Sequence, residues 1–313
     1  MGRHGGSGLV AGLLAATLLL ARPVHAQEDG GERIDAVPYD ESIYDETVYT
    51  SPRSLCPCVG PTKGSILIAG GGELPLEIYQ TFVRLAGRDR AHIVIIPTAS
   101  DEGVPAPEEI AAFRAAGAAS VEVLHTRDRR VADTEVFTAP LTNATGVWFS
   151  GGRQWRVVDA YRRTRVQREL HRVLGRGGVV GGTSAGASVL ASYLVRGTPD
   201  GTLRITEPGF DVGLGLLRGV AIDQHLLARG RERELQRIVE LYPQLLGIGL
   251  DEGTALVIKG DLARVEGRSQ VAVYDQGGWS NPVTFRFLNQ GDSYDLGHWR
   301  SIREAPAIAA PGS

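Results

Sequence analysis

From residue 65 onward, short unbroken apolar runs alternate with stretches whose apolar residues recur every three or four positions. Ser65-Ile66-Leu67-Ile68-Ala69 is the first run, and it ends in Gly70-Gly71-Gly72. A helical pattern follows over residues 75–85. His92-Ile93-Val94-Ile95-Ile96 is the second run, closing at Pro97-Thr98, and another helix is predicted over 107–116. Pro107 suits a first helical position and Gly117 a stop. Runs three and four cover 121–124 and 146–150, and a helix over 154–163 follows the fourth. Thr164 is placed to cap a helix over 165–174 that Gly175 ends. A fifth strand is predicted at 178–181. Unbroken apolar strands between amphipathic helices predict an α/β fold, a mostly parallel sheet covered on both faces. Ligands of such sheets sit beyond the carboxyl ends of the strands, so candidate chemistry belongs just after each run. Beyond Ala255 the pattern turns to short strands at 255–258, 263–265 and 270–274, with Gly260 and Gly267 at the turns. Residues 279–313 read as a C-terminal extension, a tail partly ordered up to Trp299.

The triple glycine after the first run does not match G-x-G-x-x-G, and no G-x-x-x-x-G-K-[ST] occurs, so nucleotide binding is not indicated. The informative turn is Gly182-Thr183-Ser184-Ala185-Gly186. This is G-x-S-x-G, preceded by the strand Val179-Val180-Gly181 and followed by a helical pattern through Tyr193. Strand, sharp turn and helix are the context of a nucleophile elbow. Such a turn forces the serine into a strained conformation and demands small neighbours, here Gly182, Ala185 and Gly186. The Ala185 N–H is then placed to stabilise an oxyanion.

A serine nucleophile needs a base, and the base needs an orienting acid. His171 falls mid-helix, His92 begins a strand, His125 ends one and His298 lies in the tail. His225 closes Val220-Ala221-Ile222-Asp223-Gln224 at a strand's carboxyl end, the edge where the serine is expected. The acid should also end a strand, and Leu246-Gly247-Ile248-Gly249-Leu250 is followed by Asp251-Glu252. Residue pattern alone leaves Asp251 and Glu252 both open.

Composition narrows the classes. The chain of 313 residues carries 33 Lys+Arg against 36 Asp+Glu, a formal charge of −3, which argues against a nucleic-acid binder. Two cysteines exclude a disulfide-dense scaffold and a multi-cysteine metal site. Cys56 and Cys58 sit in Cys-Pro-Cys, where a mutual disulfide would be strained, and no catalytic role is assigned to them. Asn143-Ala144-Thr145 matches a glycosylation sequon, relevant only in a eukaryotic secretory route. At the start, Arg3 and His4 precede an apolar run over 9–21 and a small-x-small pattern, Val24-His25-Ala26. This predicts a secretory signal at residues 1–26, cut after Ala26, and an exported protein, periplasmic or extracellular, with no membrane attachment after cleavage. Residues 27–62 are acidic and contain Pro and Tyr, as in a linker or extended arm. The globular domain is then expected over 63–278.

Taken together, Gly181-Gly182-Thr183-Ser184-Ala185-Gly186-Ala187, Asp223-Gln224-His225 with Arg229-Gly230-Arg231, and Gly249-Leu250-Asp251-Glu252-Gly253-Thr254-Ala255 resemble the motif set of the cyanophycinase family, S51 serine peptidases related to aspartyl dipeptidase (peptidase E). Phe149-Ser150-Gly151-Gly152-Arg153-Gln154 resembles the family's Gly-Gly-x-Gln turn, and Ala69-Gly70-Gly71-Gly72 its first glycine-rich turn. The resemblance covers about residues 63–260. It implies a three-layer sandwich like that of class I glutamine amidotransferases, with serine in place of cysteine. It implies Ser184 as nucleophile, His225 as base and Glu252 as orienting acid, with Ala185 and Gly152 N–H groups as oxyanion donors. Gln154, Asp223, Gln224, Arg229 and Arg231 would bind substrate. No metal or organic cofactor is implied, and relatives of this kind often pair as homodimers.

Arginine near the base suits a substrate carboxylate, and Asp223 suits a substrate guanidinium, so a peptide or polymer containing Asp, such as the β-Asp-Arg units of cyanophycin, is expected. The plainer reading of the same stretch is a solvated helix face of mixed charge, Arg229 to Glu234. Two positions depart from the family pattern: Glu234 stands where a third arginine is usual, and Arg153 where the turn is often acidic. The alternatives are a hydrolase of the same fold acting on α-Asp dipeptides or another small amide or ester, and a non-catalytic secreted binding protein.

Overall fold

The computed structural model describes residues 58–200, 204–275, 282–302 and 308. The signal segment, most of the 27–62 arm and Cys56 lie outside the described residues. The predicted α/β alternation is realised in order: β1 (Ser65–Ala69), α1 (Leu76–Leu85), β2 (His92–Ile96), α2 (Pro107–Ala115), β3 (Ser120–Val123), α3 (Arg129–Ala132), α4 (Glu135–Asn143), β4 (Gly146–Phe149), α5 (Gln154–Tyr161), α6 (Arg165–Gly175), β5 (Val179–Thr183) and α7 (Ala185–Ser188). There follow β6 (Ala191–Tyr193), β7 (Leu217–Gln224), α8 (Glu234–Leu241), β8 (Leu246–Leu250), β9 (Thr254–Lys259), β10 (Leu262–Gly267), β11 (Val271–Asp275), β12 (Thr284–Leu288), β13 (Ser293–Asp295) and β14 (Arg300–Ile302).

The strands form two sheets where the apolar pattern had suggested one. The larger has the order β14-β13-β10-β9-β1-β5-β4-β2-β3, and the smaller β12-β11-β8-β7-β6. In the larger, β1, β5, β4, β2 and β3 run parallel, while β9, β10, β13 and β14 are antiparallel. The mostly parallel sheet is therefore only half of it. Residues read as a tail supply β12, β13 and β14, which pair at the ends of both sheets.

Period-two burial explains the layering. On β1, Leu67 faces a cluster with Ile78, Phe82 and Leu85 of α1 and Phe113 of α2, while Ile66 and Ile68 face Leu141 of α4, Val157 of α5 and Leu170 and Val173 of α6. The same second cluster takes in Val220 and Ile222 of β7 and Ile248 and Leu250 of β8, so the smaller sheet shares a core with the larger. Its other face packs Leu235, Ile238 and Val239 of α8 against Ala221 and Tyr274. Helix α1 follows from its spacing, with Ile78, Phe82 and Leu85 at i, i+4, i+7, an acid (Glu77) in its first turn and Arg84 in its last.

Two local expectations are corrected, and two helices stand where none was expected. Helices α3 and α4 had no periodic signal; α3 is capped by Asp128, and α4 by Thr134, whose hydroxyl accepts from Phe137 N, and α4 carries Pro140 inside it. Thr164 does not cap α6 with its side chain, because its hydroxyl donates back to Tyr161 O. The helix after Ser184 is one turn, not a run to Tyr193, since Ala191–Tyr193 is a strand.

Candidate active site

Register brings the turns together. β1 pairs with β5 so that Ala69 stands opposite Thr183, and β4 pairs with β5 so that Phe149 stands opposite Gly182. The residues that follow, Gly70-Gly71-Gly72 and Ser150-Gly151-Gly152, therefore emerge on either side of Ser184. In the smaller sheet Gln224 stands opposite Leu250, so His225 and Asp251-Glu252 leave their strands side by side. The three residues after β8 cross from the smaller sheet to β9 of the larger, and Glu252 rides on that crossing.

Ser184 sits at φ 53°, ψ −119°, a conformation that a side chain rarely adopts, and His225 at φ 55°. Such strain persists only where the surroundings over-determine it. Here they do: Ser184 N donates to Ala69 O at 3.0 Å and His225 N to Gly70 O at 2.9 Å. The strained turn admits no bulk beside it. A Cβ on Gly182 would lie 2.5 Å from Gly186 O, and one on Gly186 2.1 Å from Phe149 O.

The side chains meet in a chain. Ser184 Oγ lies 2.8 Å from His225 Nε2, and His225 Nδ1 lies 2.5 Å from Glu252 Oε1. Ser184 is half-buried, His225 is buried, and the Glu252 carboxylate is about two-fifths exposed. Burial holds the His225 imidazole below the ordinary histidine range; the Glu252 hydrogen bond opposes this, and Arg229 and Arg231 add to it. The glycine-rich turn after β1 forms the seat of this relay. A Cβ on Gly71 would fall 2.3 Å from His225 Cε1, and one on Gly72 2.6 Å from Glu252 Oε2. On the opposite side, a Cβ on Gly151 would be 3.4 Å from Ser184 Cβ, so the Gly151-Gly152 backbone passes against the serine. Ala185, buried, opens α7 directly after it.

The geometry separates the two acids that the sequence left open. Asp251 Oδ1 accepts from Leu227 N and Ala228 N, and Oδ2 accepts from Ser269 Oγ. It ties down the loop that follows His225, while Glu252 reaches the imidazole. The other histidines are engaged elsewhere: His92 with Ser120, His125 with Thr98 and His298 with Asp295. Burial pushes His171 down to about 4.

The expected substrate-binding residues divide. Gln154 is buried at the start of α5, and Arg229 is exposed. Asp223, fully buried, has its two oxygens held by Arg196 Nε at 3.1 Å and Arg196 Nη2 at 3.2 Å, with Arg231 Nη1 at 3.6 Å. Arg231, itself buried, donates to Gln224 O and Oε1, both at 3.1 Å. Asp223 is therefore committed inside the protein rather than open to a substrate guanidinium. Glu234 pairs with the same Arg196. Sequence reasoning missed Arg196: it follows β6, beyond the stretch read as helix, and nothing local marks its distant partners. Among the described residues no group of three His, Cys, Asp or Glu is arranged to hold a metal ion, and no helix is long and apolar enough to cross a membrane.

Comparison with known proteins places the chain in a family. The family model "Peptidase family S51" matches residues 66–266. Cyanophycinase from Trichormus variabilis is 36% identical over 222 residues, 68% of this chain and 74% of the relative. Cyanophycinase from Synechococcus elongatus is 34% identical over 224 residues, 68% of each chain. The crystal structure of a peptidase from an acI-B1 Actinobacterium superposes with a TM-score of 0.57 at 24% identity, covering 75% of this chain and 98% of that one, and so shares the fold. With the matched span running from β1 to the end of β10 and enclosing every residue of the relay, this chain belongs to peptidase family S51 and is a serine-type peptidase.

Proposed function

We propose that the chain hydrolyses Asp-containing peptide bonds through a Ser184–His225–Glu252 triad and an acyl-enzyme. The observation that carries the reading is the unbroken contact from hydroxyl to imidazole to carboxylate, 2.8 and 2.5 Å. With Nδ1–H donating to Glu252, Nε2 is left to take the Ser184 proton as Oγ attacks the carbonyl carbon, and then to hand it to the departing amine. Water, deprotonated by the same nitrogen, releases the acid. In this reading the turn at Ser184 is a nucleophile elbow, and the N–H groups of Ala185 and Gly152 receive the developing oxyanion. The parallel half of the larger sheet, with helices on both faces, supports the class I glutamine amidotransferase-like sandwich.

Arg229 is the exposed cation beside the base and suits a substrate carboxylate; Gln154 lies just beyond the Gly151-Gly152 turn. One observation favours recognition of acidic over basic groups: Asp223, the acid expected to receive a guanidinium, is already neutralised by Arg196 and Arg231. The substrate class proposed is therefore an aspartyl peptide, with the arginine of a β-Asp-Arg unit contributing little to selection. Residues 1–26 as an export signal, and hence action on peptides or polymer outside the cytoplasm, belong to the same proposal.

Mass-spectrometric product analysis tests this. Cyanophycin, β-Asp-Arg and a panel of α- and β-Asp dipeptides are each incubated with the protein and with Ser184→Ala. Cleavage after Asp that is abolished in the variant and tolerates replacement of arginine is the expected result. Cleavage confined to β-Asp-Arg bonds would overturn the selectivity argument, and wild-type activity in Ser184→Ala would overturn the mechanism.

A further inference from the structure

The turn Ser150-Gly151-Gly152 has two consecutive glycines, the residues with the most backbone freedom, yet it lies against the nucleophile and its donor is useful only if held still. Backbone bonds fix its two ends: Ser150 N donates to Ile96 O at 3.2 Å and Arg153 N to Ala99 O at 2.8 Å. Gly152, at φ 141°, has no space for a Cβ, which would meet Ala99 O at 2.1 Å. The remaining hold comes from a different layer. Glu109, in the first turn of α2, is buried, and its carboxylate accepts from Trp148 Nε1 at 2.7 Å and from Ser150 Oγ at 2.5 Å. Both donors are buried, on β4 and directly after it. A buried glutamate carries a desolvation penalty, and burial does push this carboxyl above the ordinary glutamate range. An apolar side chain there would avoid that penalty but leave Trp148 Nε1 and Ser150 Oγ unpaired, so the carboxylate is held to these two donors. Tyr79 of α1 is the other titratable group facing it.

We infer that Glu109 is a positioning residue for the peptidase reaction, clamping β4 through Trp148 and the Gly151-Gly152 turn through Ser150, so that the Gly152 N–H stays aimed at the oxyanion. The inference rests on the acyl-transfer reading above. The carboxylate touches neither substrate nor Ser184; it acts through Ser150. Its effect falls on the step in which the oxyanion forms and not on ground-state binding, because a carbonyl asks little of the donor until charge develops.

Covalent labelling of Ser184 with a fluorophosphonate separates the two. The phosphonylation step needs the same hydroxyl, base and oxyanion donors, and titration of labelled protein counts competent sites. Failure of the wild type to label at Ser184 would overturn the triad reading itself. With labelling established, Glu109→Ala is expected to lower the inactivation rate constant by about 100-fold, with the half-saturating probe concentration unchanged. Glu109→Gln, which can still accept from Trp148 and donate to Ser150 Oγ, should restore most of that loss. Ser150→Ala should lose about tenfold, and the double variant should be no slower than Glu109→Ala, because the two lie on one path. If Glu109→Ala does not fold, Ser150→Ala and Glu109→Gln still decide the matter. A labelling rate within about threefold of wild type in Ser150→Ala, or losses that multiply in the double variant, would overturn the inference.

Discussion

The two sheets supply the site with different materials. The larger contributes mostly backbone: Gly70-Gly71-Gly72, Gly151-Gly152 and the Gly182-to-Gly186 turn around one hydroxyl. The smaller contributes titratable side chains: Asp223, His225, Arg229, Arg231 and Asp251, joined by Arg196 and Glu234. The difference follows from the tasks. Charge developing on an oxygen is best met by fixed, neutral N–H dipoles, which need no reorganisation. Moving a proton requires a group that titrates, and a titrating group near other charges works only if those charges are balanced. Around His225 the balancing is internal: Arg231, buried, and Arg196, partly buried, share two carboxylates, one of them fully buried.

Substitutions on each side test this division. The largest effect is expected at the hydroxyl itself, where Ser184→Ala should lower kcat by about 10⁶-fold without changing the thermal midpoint, read by steady-state assay and calorimetry. Next comes the ionic side. Asp223→Ala leaves the buried Arg231 without an acid and Arg196 with Glu234 alone, and the expected loss of stability is about 3–5 kcal/mol, measured by urea unfolding. A loss below about 1 kcal/mol, in the range of exposed ion pairs, would mean that the cluster does not carry the balancing charge in the interior. On the glycine side, Gly71→Ala puts a methyl into the imidazole from a backbone at φ 103°. Misplacing the base in this way should reduce kcat by about 100-fold, while Gly117→Ala, whose Cβ meets nothing, serves as the control for left-handed strain alone.

The smallest effect is the most diagnostic of the charge balance. His225 must be neutral to act as base, so activity rises with pH through its depressed pKa. Removing a nearby cation relieves part of that depression, and Arg229→Ala should move the acid limb of kcat/KM against pH to higher pH; added salt should act in the same direction on the wild type by screening. An acid limb that stays in place or moves to lower pH would show that Arg229 does not act on the base.

Much of the site could be read from residue order. The G-x-S-x-G turn, His225 at the end of one apolar run and the Asp251-Glu252 pair at the end of another are local features, and strand ends follow from period and length. The helix stop at Gly117 and the turns at Gly260 and Gly267 are legible for the same reason, since each takes a positive φ that glycine adopts freely. The Pro140-containing helix was not legible, because tertiary packing of Leu141 and the Thr134 cap outweigh a poor local pattern.

What the sequence determined by itself is where each chemical group leaves its strand, because alternation, glycine and proline act over a few residues. Only the tertiary structure decided which groups meet. The apolar runs of β7 and β8 read alike whether they join the first sheet or build a second. Asp251 and Glu252 are adjacent carboxylates that no local rule separates. Arg196 finds Asp223, 27 residues on, and Glu234, 38 residues on, because β6 pairs with β7 and α8 packs on the outer face of the same sheet. Charge pairing is non-directional in sequence: any arginine can neutralise any acid, and only the packed path of the backbone selects one.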